Sequence, residues 1–202
     1  MHSAHLDTST GLDNRKMAFW TFIGAECLIF GGLIGSYLAY KGNSVTGPYP
    51  HPVTIDGVQH PGLLDIPLTS ISTAVLLFSS LFMVLGLAAV QRDDRQKSVL
   101  WLGMTALAGA VFLGFQAYEF NHFYHQGLTL GGNLFGSTFY VLTGFHGAHV
   151  AVGVLYLLTM TWMAAKGRLG PKQSVTCEIA GLYWHFVDVV WIVIFPVIYL
   201  IP

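Results

Sequence analysis

Seven ionisable side chains hold most of the chemistry this sequence could perform: Glu26, Glu119, His146, His149, Glu178, His185 and Asp188. Each stands within or at the rim of a long apolar run, where a charged residue at the centre costs about 2.5–3.5 kcal/mol on insertion scales and must face protein or water. His146 and His149 are three apart, as are His185 and Asp188, so on helices each pair shares a face. Imidazole combined with carboxylate oxygen suits zinc, copper or iron, yet no Glu-x-x-His repeat and no third histidine on a neighbouring run completes a metal set. A bis-histidine haem needs two facing imidazoles with room for a macrocycle, against which stands the crowding of Tyr183-Trp184-His185-Phe186. Two readings remain. The residues pass protons, as intramembrane carboxylates and imidazoles do in relays, or they hydrogen-bond one another and fix helix register.

Positioning these residues requires membrane helices. Crossing about 30 Å of hydrocarbon takes roughly 20 helical residues, and five runs meet that length: Met17 to Tyr40, Leu68 to Val90, Ser98 to Phe120, Phe135 to Ala165 and Glu178 to Ile201. The expected fold is therefore an all-α integral membrane bundle of five spans in one domain over 17–202, preceded by a polar N-terminal tail over 1–16. Asp65 and Pro67 mark the start of the second span as N-cap and first-turn proline. Between the first two spans, the Pro- and Gly-rich stretch from Lys41 to Ile66 predicts an ordered loop without regular structure. Gly31-x-x-x-Gly35, Gly32-x-x-x-Ser36, the Ala106, Ala110, Gly114 series, Gly144-x-x-x-Ala148 and Gly147-x-x-x-Ala151 predict helix-packing faces.

Charge distribution supports the span count. Arg15, Lys16, Arg92, Arg95, Lys97, Lys166, Arg168 and Lys172 all fall on one side of a five-span chain, and only Lys41 on the other. Excess Lys and Arg mark the cytoplasmic side, so the N-terminus is expected inside and the C-terminus, at Pro202, outside. At about 1.5 Å per residue, Glu26 and Asp188 then lie roughly 14 and 15 Å from the inner ends of their spans, and His146 and His149 roughly 16–21 Å along the fourth. That predicts one mid-depth polar cluster of Glu26, His146, His149, His185 and Asp188 drawn from spans one, four and five. Glu119 and Glu178 are expected at the outer and inner membrane edges. The remaining acids, Asp7, Asp13, Asp56, Asp93 and Asp94, sit in the tail or in loops.

Composition excludes other classes. Only 9% of residues are charged and 53% are hydrophobic, against about 25% charged in soluble domains. Lys and Arg number 9 against 10 Asp and Glu, which leaves no basic surface for nucleic acid. Cys27 and Cys177 lie 150 positions apart, one inside a span and the other at the mouth of a different one, which disfavours a disulfide framework, and neither belongs to a Cys-x-x-Cys pair, so zinc and iron-sulfur sites lack support. The apolar run from Met17 to Tyr40 is too long for a signal peptide's core.

Several strings resemble subunit III of the haem-copper oxidases, the cytochrome c and quinol terminal oxidases. They are Tyr183-Trp184-His185-Phe186-Val187-Asp188-Val189-Val190-Trp191 with Glu178 before it, Gly136-Ser137-Thr138-Phe139-Tyr140, Thr143-Gly144-Phe145-His146-Gly147-Ala148-His149-Val150, Phe115-Gln116-Ala117-Tyr118-Glu119-Phe120, and Phe22-Ile23-Gly24-Ala25-Glu26-Cys27-Leu28-Ile29-Phe30. Their order and separation match the family from Met17 onward, in its five-span bacterial form. The resemblance implies a multi-pass protein of the bacterial plasma membrane that supports stability and proton uptake during oxygen reduction. It implies no catalytic, cofactor or metal site in this chain, with haem and copper held by partner subunits. It implies catalytic subunit I and subunit II as partners, with membrane phospholipid as a further ligand. Glu26 corresponds to the family's carbodiimide-reactive carboxyl, near the imidazoles matched by His146, His149 and His185. Longer family members carry two further spans with lipid between that pair and the rest, so here lipid would fill a gap at a subunit interface. Within the resemblance the alternative is an accessory subunit of a nitric oxide reductase, and from another class an independent proton-coupled transporter using Glu26 and Asp188. Against the transporter stands the absence of broken-helix pairs or a repeat.

Overall fold

A computed structural model describes residues 14–41, 43, 47–55 and 57–201, and in it the five apolar runs are five long helices. They are α1 (Asn14–Tyr40), α2 (Ile66–Gln91), α3 (Arg95–His125), α4 (Leu134–Ala165) and α5 (Ser174–Phe195), the last entered through a 3₁₀ turn at Pro171–Gln173 and continued by a π-helical turn at Pro196–Leu200. Residues 1–13 of the expected tail, with Asp7 and Asp13, and also Asp56 and Pro202, lie outside the described residues.

Local chemistry sets the helix ends. Asp65 Oδ1 accepts from the Leu68 N–H at 3.1 Å, with Pro67 in the first turn, as the sequence predicts. Asp94 caps α3 and Asn133 caps α4 in the same way, at 3.0 and 2.7 Å. At the other ends of α3 and α4, Gly127 (φ 89°) and Gly167 (φ 67°) take the left-handed conformation that lets the following N–H reach back, Leu128 to Phe123 O and Arg168 to Met163 O. α3 runs five residues past the expected Phe120, because Phe123 continues its buried face and Leu128 closes beneath it, both fully buried.

Successive helices α2, α3 and α4 pack as antiparallel neighbours; α5 lies against α2 and α4, and α1 rests chiefly on α4 and α5. The loop residues divide between two ends. At one, Lys16 pairs with Glu178 and Arg95 donates to the Ala165 carbonyl, so the basic segments meet there. At the other, Lys41 Nζ donates to Ile201 O at 2.6 Å and His51 Nε2 lies 3.2 Å from Ile198 O. Asn133 Nδ2 donates to Pro48 O at that same end, at 3.0 Å.

Two expectations are corrected. The stretch between α1 and α2 is not devoid of regular structure: β1 (Val53–Ile55) and β2 (Val58–His60) pair antiparallel, turned by Gly57 at φ 78°. Strands of three residues are too short to leave a periodic signal among prolines. The glycine stripe of α1 is not an internal packing face, since a Cβ built on Gly24, Gly31, Gly32 or Gly35 meets nothing within 4 Å, and only Phe30 and Tyr37 of this helix are buried. Ala110, Gly114 and Ala148 are exposed as well. The close approach lies elsewhere. The fully buried Trp184 indole of α5 wedges between Gly109 of α3 and Gly153 of α4, where an added Cβ on Gly153 would come 2.8 Å from the ring and one on Gly109 nearer still. Gly147, of the expected Gly147-x-x-x-Ala151 pair, faces the Gln116 side chain, whose Nε2 donates to Thr143 O at 2.8 Å.

Candidate functional site

The seven ionisable residues are distributed among separate groups rather than one cluster. Between α1 and α4, Glu26 Oε2 stands 3.3 Å from His149 Nε2, each side chain 13% exposed. His149 Nδ1 lies 2.9 Å from the Phe145 carbonyl four residues earlier. A carbonyl only accepts, so Nδ1 carries a hydrogen and Nε2 is left facing the carboxyl. One proton then decides between a neutral acid beside a neutral ring and an ion pair. Phe30, Phe145 and Tyr183 surround the ring, and the Tyr183 hydroxyl donates to His149 O at 3.0 Å.

Between α2 and α5, the Ser80 hydroxyl donates to Asp188 Oδ2 and lies 3.1 Å from His185 Nδ1. Asp188 is 2% exposed and its Oδ1 has no hydrogen-bond partner among the described residues. His146 belongs to neither group. It is fully buried, neither ring nitrogen has a hydrogen-bond partner among the described residues, and it stacks on Trp191 at 4.8 Å with Phe112 edge-on at 5.9 Å. No hydrogen bond or ion pair among the described residues joins Glu26 and His149 to Asp188 and His185.

Glu119 lies near the end of α3, but it is enclosed rather than open to the membrane edge. Thr69 Oγ1 of α2 and the Tyr199 hydroxyl of the π-helical turn each donate to its carboxylate at 2.9 Å, and it is 7% exposed. Glu178 sits at the basic end, partly exposed, paired with Lys16 and within 3.5 Å of Gln91 Nε2.

The serines and threonines of α2 are the functional partners that reading the ionisable residues alone misses. Thr69 donates to Glu119, Thr73 accepts from Trp191 Nε1 at 2.9 Å, Ser79 accepts from Trp184 Nε1 at 2.8 Å, and Ser80 meets Asp188 and His185. Such hydroxyls in an apolar span hydrogen-bond across helices, and their recurrence on one side of the second run is the signal that could have found them. The arrangement ties α5 to α2 along most of its length. Among the described residues no three His, Cys, Asp or Glu side chains converge as a metal site requires.

Sequence comparison agrees with this architecture. A family model described as cytochrome c oxidase subunit III matches residues 3–201. The chain is 40% identical over 187 residues to cytochrome c oxidase subunit 3 of Bacillus sp. (strain PS3), covering 93% of this chain and 86% of that one. Cytochrome c oxidase subunit 3 of a Synechocystis species is 40% identical over 190 residues, covering 94% and 76%. A probable quinol oxidase subunit 3 of Staphylococcus saprophyticus is 34% identical over 187 residues, covering 93% and 89%. With five apolar helices and matches that run almost end to end, the chain belongs to the cytochrome c oxidase subunit III family, as a multi-pass protein of the bacterial plasma membrane.

Proposed function

We propose that this chain is an auxiliary subunit of a haem-copper respiratory oxidase, packing against catalytic subunit I and subunit II, holding no redox centre of its own, and supporting stability and proton uptake during oxygen reduction. The observation that carries this reading is where the polar side chains spend their hydrogen bonds. Trp184 and Trp191 are satisfied by α2 hydroxyls, Glu119 by Thr69 of α2 and by Tyr199, and the buried carboxylates meet serine, threonine, tyrosine or a single imidazole. A bundle wired in this way braces helices against one another.

The exposed apolar surface of α1, including Trp20, Phe22, Leu28, Ile29 and Leu38, supports a partner or lipid on that side. The end carrying Arg15, Lys16, Arg95 and Lys166 faces the cytoplasm in this proposal, by the excess of basic residues there. Mild detergent purification of the tagged chain from its native membrane tests the assignment. Haem- and copper-containing subunits should come with it in stoichiometric amount. Recovery of the chain alone, under conditions that keep the oxidase intact, would refute it.

A further inference from the structure

At the basic end, a groove of about 310 Å³ opens between α1, α2 and α5. Lys16 and Glu178 stand at its mouth, Trp20, Met83 and Leu87 line its walls, and His185 lies at its inner end, two turns of α5 deeper than Glu178. Exposure falls along the same path: His185 and Ser80 are half-buried, and Asp188 is buried. The hydrogen bonds along it have one consistent polarity. When Asp188 is ionised, the Ser80 hydroxyl donates its single hydrogen to Asp188 Oδ2, and in its contact with His185 Nδ1 the ring N–H then donates and Ser80 Oγ accepts. In that state His185 carries its hydrogen on Nδ1 and leaves Nε2 as the acceptor of the ring.

We propose that the groove, His185 and Ser80 form a blind proton inlet that equilibrates Asp188 with the basic end of the bundle alone. The step balances. A proton taken up at Nε2 makes His185 an imidazolium, its Nδ1 proton passes to Ser80 Oγ, and the Ser80 proton passes to Asp188 Oδ2. The ring is left neutral with its hydrogen on Nε2, the hydroxyl is unchanged, and one proton has moved from the groove to the carboxylate.

The path ends at Asp188. Farther along α5 the Trp191 indole N–H only donates, to Thr73, and His146 behind it has no hydrogen-bond partner among the described residues. The charged and titratable groups facing the path are Lys16 from α1 and Glu178 from α5 at the mouth, while α2 contributes the Ser80 hydroxyl. Glu26 of α1 faces His149 of α4 and takes no part. This inlet does not depend on which partner the chain binds, so it stands or falls separately from the assignment to an oxidase.

The test uses the full chain in sealed lipid vesicles of one orientation, read by time-resolved infrared difference spectroscopy. A drop in pH on the basic side should raise a protonated-carboxyl C=O band that Asp188→Asn lacks, and the same drop on the other side should raise it far more slowly. Ser80→Ala should slow its rise by about a hundredfold, the scale of a positioned proton-transfer group, and Ser80→Thr should restore it. Leu87→Trp narrows the groove without touching the three relay groups and should also slow the rise. A band that rises equally fast from both sides, a Ser80→Ala rate equal to wild type, or no band assignable to Asp188 would each overturn the proposal.

Discussion

A carboxyl buried in a membrane protein reacts with a hydrophobic carbodiimide when it is protonated, reachable from the apolar phase and not enclosed by donors. Glu119 fails on enclosure, with both oxygens engaged by Thr69 and Tyr199, and Glu178 fails because Lys16 pairs with it. Asp188 also keeps an unpartnered oxygen but is 2% exposed, whereas Glu26, in the contact of α1 with α4, combines such an oxygen with a side chain 13% exposed. Labelling should therefore fall on Glu26 and vanish in Glu26→Gln, as peptide mass mapping would show; label on Glu178 or Glu119 would point to a different carboxylate. The α2 hydroxyls make a second residue-level statement. Thr73→Val keeps the shape but takes away the acceptor of the Trp191 indole, and interhelical hydrogen bonds in membranes are worth about 0.6–2 kcal/mol. The variant should unfold more readily in a mixed-detergent titration by that amount, with its helix content unchanged.

Between elements, the decisive contacts are made by single glycines against single large rings, which explains what could and could not be read from sequence. Gly109→Ala puts a methyl into the Trp184 ring and should destabilise the bundle by about 1–3 kcal/mol, as overpacking does. Gly31→Ala, in open space on α1, should leave the isolated chain's stability unchanged; both are measurable by the same unfolding titration. Hydropathy and length were enough for the five spans, and Asp65 and Pro67 were legible as a helix start, because those signals are local. Gly31-x-x-x-Gly35 was legible as a motif but not by destination: small-residue spacing is the same whether the face meets a helix in this chain or the surface. The Trp184 contacts join positions 75 and 31 residues apart in sequence, and no local pattern announces a pair of that kind. The polar groups divide in the same way. The helix that carries each was legible, but which imidazole meets which carboxyl depends on helix rotation. At the α2–α3 turn, the Lys97 backbone N–H and then its ammonium hold the Asp94 carboxyl below the usual carboxylate range. A depressed folded-state pKa adds stability that is complete above the unfolded value of about 3.9 and is lost as pH falls through the lower folded one. Protection of the first-turn amides of α3, taken relative to the intrinsic exchange rate at each pH, should thus fall only on strong acidification, and Asp94→Asn should flatten that dependence.

For the molecule as a whole, the proposed supporting role makes a prediction about endurance rather than chemistry. An oxidase assembled without this chain should keep its haem spectrum and its initial rate of oxygen reduction but lose activity progressively during turnover, followed with an oxygen electrode. Failure to assemble haem at all would assign the chain a different role. The sparse attachment of α1 has one more consequence, for the order in which the protein is made. α1 leaves the ribosome first, yet the helices it rests on, α4 and α5, come last, and 123 residues separate Glu26 from His149. At about 5–20 residues per second, Glu26 is synthesised roughly 6–25 s before its imidazole. α2 and α3 find each other as sequence neighbours, whereas the first helix made must wait for α4 and α5 before it can join its own bundle, and the surface it finally keeps open is the one the nascent chain has exposed longest.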